Sequence, residues 1–120
     1  MNTKLNYTFP PSVEILENIA EACIPSLPDE LDQICPNLQI VIDDFPSETV
    51  QEDLELETDF DLLAYYFEKT KSLNLYRRPI LDLWCETGDD LQSLIRQLMI
   101  TELAQYLEFS PQDIERMTRE

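Results

Sequence analysis

A chain of 120 residues makes one domain, long enough to bury roughly two-thirds of the surface its unfolded form exposes without a disulfide framework. Its 25 acidic residues against 8 basic ones, with no histidine, leave a net charge of -17, which disfavours direct nucleic-acid binding and docking on acidic membranes, since both need clustered Lys or Arg. No apolar run approaches the roughly 20 residues of a membrane span, and the N-terminus lacks the apolar core of a signal peptide, so the expectation is a soluble cytoplasmic protein.

Residues 1–11 read as an N-terminal arm and residues 12–120 as a single domain. Behind Pro10-Pro11, the apolar positions Val13, Leu16, Ile19, Ala20 and Cys23 recur at helical spacing, predicting a helix over 12–23 that Pro25 stops. A short helical turn follows at PDELDQI. The compact run LQIVI, 38–42, lies between Pro36-Asn37 and Asp43-Asp44 and predicts a buried strand. Ser47 is placed to cap a short helix reaching Leu54. DLLAYYF at 61–67 and SLNLYRR at 72–78, separated by four polar residues, predict a hairpin. Pro79 opens a helical turn through Trp84, and Gly88 breaks the chain before the longest helix, 89–108, which Asp89 is placed to cap. SPQD at 110–113 then starts a last helix, with Ser110 as cap, Pro111 at the first helical position and Asp113 as reciprocal acceptor. Helices and strands mix without strict alternation, so the fold class is α+β.

Most routes to chemistry are closed by what is missing. Cys23, Cys35 and Cys85 show no C-x-x-C spacing and read as buried thiols rather than zinc ligands. A Cys or Ser nucleophile would lack a histidine base, and a chain with one glycine cannot form a glycine-rich phosphate loop. Glu102, Glu108 and Asp113 lack the spacing of an EF-hand. The acidic run at 52–61 reads as a solvated helix end and loop, and Tyr65, Tyr66, Phe67, Tyr76 and Trp84 read as hairpin core.

Glu102 does not fit this bland picture. On the long helix Leu91, Leu94, Ile95, Leu98, Met99, Tyr106 and Phe109 share one face, and Glu102 projects into its middle with Thr101 and Gln105 alongside. A buried carboxylate without a partner is costly, so Glu102 should be paired, protonated or lining a cleft open to water. Arg77 and Arg78 are the candidate partners, because neighbouring strand residues point to opposite faces and one of the two would face the helix.

IVIDDFPSETVQEDLELE, DLLAYY, LNLYRRPIL, a long helix and SPQDIERM follow one another in an order that resembles the bacterial minimal zincin-like proteins, small zinc metallopeptidases. The resemblance covers nearly all of the chain after the first dozen residues and implies a minimal zincin-like α+β fold, a small mixed sheet with packed helices. In that family the long helix carries H-E-x-x-H, two imidazoles on one helical face for zinc and a Glu that activates the metal-bound water. The aligned pentad here is Thr101-Glu102-Leu103-Ala104-Gln105. The resemblance therefore makes Glu102 a vestigial general base, and Thr101, Gln105 and Pro111 vestigial metal-ligand positions, with Glu108 where the family has a glycine. No metal and no zinc cofactor are expected. The expected role is a non-catalytic module binding a protein partner, basic in character. The alternatives are a metallopeptidase whose metal site is atypical or completed by a partner, and an acidic mimic of nucleic acid.

Overall fold

The computed structural model describes residues 10–119. Ser12 caps the first helix, α1 (Val13–Cys23), its side chain accepting from the Ile15 amide, and Leu16, Ala20 and Cys23 form its buried stripe. Pro25 then diverts the chain into a short 3-10 turn, Ile24–Ser26, and a second, Asp29–Leu31, follows. Strand β1 (Gln39–Asp43) leads to a six-residue helix, α2 (Glu48–Asp53), capped by Ser47. The hairpin forms from β2 (Ala64–Phe67) and β3 (Ser72–Tyr76). With no glycine available in its turn, Lys71 takes the left-handed conformation, φ 52°, and its amide closes on the Glu68 carbonyl.

The sheet order is β1-β3-β2, with β1 parallel and β2 antiparallel to β3. Alternation along the strands turns Ile42, Ala64, Tyr66, Leu73 and Leu75 into the core, while Val41, Tyr65, Phe67 and Asn74 stay partly exposed on the other face. This is the expected α+β arrangement.

Three helices complete the domain: α3 (Arg77–Thr87), α4 (Leu91–Tyr106) and α5 (Pro111–Arg119). Two boundaries differ from the sequence expectation. Strand β3 ends at Tyr76, so Arg77 and Arg78 are the first two residues of α3 and not the end of a strand. The cap of α4 is Asp90, whose carboxylate accepts from the Ser93 amide; Asp89 is occupied instead by its carbonyl, which accepts from Trp84 Nε1 at 2.9 Å. The cysteines also differ: Cys23 is buried, but Cys35 is half-buried and Cys85 lies exposed on α3, whose inward face is taken by Ile80, Leu81 and Trp84.

Helix α4 is the axis of the core. It packs against α1, α3, α5 and β2, which is why Ile100, Leu103 and Ala104 are buried along with the expected Leu91, Leu94, Ile95 and Met99. Arg96 fastens it to the 3-10 turn after α1, donating from Nη2 to the Ser26 carbonyl at 2.7 Å. Arg116 of α5 reaches Glu30 at 2.8 Å, holding that carboxyl below its usual range. The expected arm falls mostly on residues 1–9, outside the described residues; its last two positions are Pro10 and Pro11, and the Pro11 carbonyl accepts from Arg77 Nε at 2.7 Å.

Candidate functional site

The helical repeat carries Thr101 and Gln105 one above the other on α4, and sets Glu102 between them and the Leu91–Ile95 side of the helix. Thr101 and Glu102 are half-buried and Gln105 is exposed. Desolvation alone pushes the Glu102 carboxyl up to about 7 from its ordinary 4.5. The reason is visible in what does not contact it. Among the described residues no hydrogen bond or ion pair reaches its carboxylate, yet no buried polar side-chain atom is left without a partner, so the oxygens keep access to water.

The expected arginine partners are engaged elsewhere. Arg77 donates to Pro11 and, through Nη1, to Asp44 at 3.2 Å. Arg78 stands over the Phe45 ring, 5.9 Å from its centroid. Both follow from the position of the strand end: once Tyr76 closes β3, strand alternation no longer governs where these side chains point.

Residues that sequence reasoning did not assign to the site stand at the next helical turn after Glu102 and at the end of β3. Tyr106, one turn on from Glu102, is 37% exposed, and its ring meets Tyr66 of β2 edge-to-face with centroids 4.6 Å apart. Desolvation and the Glu68 carboxylate beside its hydroxyl raise the Tyr106 pKa. Tyr76 is buried at the end of β3, and its pKa is pushed up to about 12, first by desolvation, then by Asp43, with a smaller contribution from Glu102. Reading Tyr66, Tyr76 and Trp84 as core is correct, since all three are buried. The aromatic spacing in the sequence gave no sign that Tyr66 would back a tyrosine at the polar end of α4.

Past Glu102 the helix closes in a Schellman turn. The Phe109 amide donates to the Ala104 carbonyl and the Glu108 amide to that of Gln105, both at 3.0 Å. Such a turn requires a left-handed residue, and Glu108 supplies it at φ 64°, a conformation that favours glycine. The turn delivers the chain to α5, where the Ser110 hydroxyl accepts from the Asp113 amide at 3.1 Å. Asp113 makes no reciprocal capping bond; its carboxylate lies 3.9 Å from Arg116. Pro111 is exposed at the first position of α5.

As a metal centre, this donor set fits poorly. A Thr hydroxyl, a Gln amide and a proline ring at the three positions offer neither the imidazoles nor the thiolates that zinc selects, and one carboxylate cannot replace three protein ligands. Among the described residues no group of three or more His, Cys, Asp or Glu is gathered as metal ligands. No helix among them is long and apolar enough to cross a membrane.

Compared with known proteins, residues 35–120 match the model of a family described as zincin-like metallopeptidase, a span that runs from just before β1 through the pentad to the C-terminus and leaves out α1. No curated protein matches the chain.

Proposed function

Because the chain belongs to the zincin-like metallopeptidase family, we propose that it is a member that has given up zinc chemistry and serves as a non-catalytic module binding another protein. What supports this reading is the donor set of the pentad: by the resemblance Glu102 would hold the place of the family's general base and Thr101, Gln105 and Pro111 those of its metal ligands, and none of those three is a residue that zinc selects. A general base of this kind works on a metal-bound water, and these side chains cannot hold the metal. Glu102 in its present setting is a half-buried, desolvated carboxylate with no ion-pair partner among the described residues, which is a binding feature before it is a catalytic one. The surface charge suits a basic partner, since 25 acidic residues face only 8 basic ones.

The test is elemental analysis of dialysed protein, joined to a peptidase assay on unfolded protein substrates with zinc supplied. The reading expects no stoichiometric zinc and no zinc-dependent cleavage. One zinc per chain with cleavage abolished by Glu102→Gln would establish a metallopeptidase instead.

A further inference from the structure

Strand β1 stands at one side of the sheet, with β3 on its inner edge and no strand on its outer edge among the described residues. The Gln39 amide donates to the Lys71 carbonyl at 2.9 Å, and Gln39, Val41 and Asp43 lie opposite Ser72, Asn74 and Tyr76. Alternation therefore aims the amides and carbonyls of Ile40 and Ile42 away from β3, along the outer edge. Such a row of donors and acceptors is a template for a further strand.

The path of the chain says which strand can take it. Pro11 is buried, and its carbonyl accepts from Arg77 Nε at 2.7 Å, while the same arginine pairs at 3.2 Å with Asp44, the residue that follows β1. Residues 1–9 thus join the described part of the molecule at the end of the sheet where β1 and β3 finish. Helix α1 then packs against β1, and the chain enters β1 at the opposite end. A segment extended along β1 ahead of Pro10 would run parallel to it with α1 as the crossover, the kind of connection that neighbouring parallel strands require. The sequence suits this course. In Thr3-Lys4-Leu5-Asn6-Tyr7-Thr8-Phe9, the apolar and aromatic Leu5, Tyr7 and Phe9 alternate with polar residues, and no glycine or proline interrupts them. Seven extended residues reach about 23 Å, enough to cover a strand of five. Lys4 is the one charged side chain in 1–9, which favours docking on a chain of net charge -17.

We propose that residues 3–9 occupy the outer edge of β1 as a fourth strand, parallel to it, and so close that edge to other chains. This inference does not depend on the fate of the metal site.

Backbone amide hydrogen exchange of the full chain, followed by NMR, tests it against the variant Asn6→Pro/Tyr7→Pro, which removes an amide from the segment whichever of the two residues faces β1. The Ile40 and Ile42 amides should be protected in the parent and should exchange about tenfold faster or more in the variant, whereas Val41, whose amide faces β3, should keep its protection and report that the domain is folded. The parent should also show nuclear Overhauser contacts between residues 3–9 and 40–42. Ile40 and Ile42 amides that exchange as freely in the parent as in the variant, or the lack of those contacts, would overturn the proposal. So would protection that grows with protein concentration alongside a doubled mass, since a second copy would then hold the edge.

Discussion

Glu102→Gln should stabilise the protein, and by an amount that depends on pH in a defined direction. The carboxyl titrates at about 7 in the folded chain against 4.5 for the ordinary group, so the folded state binds this proton more tightly than the unfolded state does. Below the unfolded value both states are protonated and the residue has no pH-dependent cost. As pH rises above 4.5 the unfolded state gains by ionising first, and the cost to folding grows until it is complete above about 7. That difference is worth at most about 3 kcal/mol, and water at the half-exposed carboxylate reduces it to roughly 1–3 kcal/mol. Glutamine keeps the shape and never ionises. Urea denaturation of both proteins between about pH 5 and pH 8 isolates the effect, because every other acidic group is common to the two. The variant should match the parent to within about 1 kcal/mol at the acidic end and exceed it by up to about 3 kcal/mol at the basic end, a melting difference of roughly 4 °C per kcal/mol. A difference that stays flat across the range, or a variant less stable than the parent at the basic end, would refute the claim that Glu102 is desolvated without a partner.

Glu108→Gly should stabilise by about 0.5–1 kcal/mol in the same assay, since the left-handed turn needs no Cβ, whereas Glu108→Ala should give no gain. Arg77→Ala should cost about 1–2 kcal/mol through its bond to the Pro11 carbonyl and its pair with Asp44, and Arg77→Lys should not recover the loss, because an ammonium cannot reproduce the fork; thermal melts of the three proteins check this.

What the sequence made legible was local. Caps at Ser47 and Ser110, and the stops at Pro25 and Gly88, each declare themselves within three or four residues, and the structure uses all of them. The oddity of Glu102 was legible for the same reason: it breaks a periodicity. Its surroundings were not, because they depend on contacts between distant segments. The β1–β3 pairing, which joins Gln39 to Ser72, has no sequence signal of its own. Arg77 and Arg78 were assigned to a strand because nothing ahead of Pro79 marks the change of structure, and Pro79 sits at the third helical position, where its missing amide costs nothing. Ile100, Leu103 and Ala104 were not expected in the core, since a one-faced helix was assumed and α4 is packed on several sides. Nothing in the glutamate at 108 announces a left-handed residue; only the resemblance, which puts a glycine there, pointed to it.

Calorimetric titration of zinc into three proteins tests the central claim most directly: the parent chain, the variant Thr101→His/Gln105→His/Pro111→Asp, and a control with Gln97→His/Thr101→His, also four residues apart but one turn back along α4. The account predicts no micromolar zinc binding in the parent, measurable binding in the triple variant, and weaker binding in the control. A parent that takes up one zinc tightly would contradict it, and so would a control that binds as well as the triple variant, because the pentad would then hold no special place in the fold.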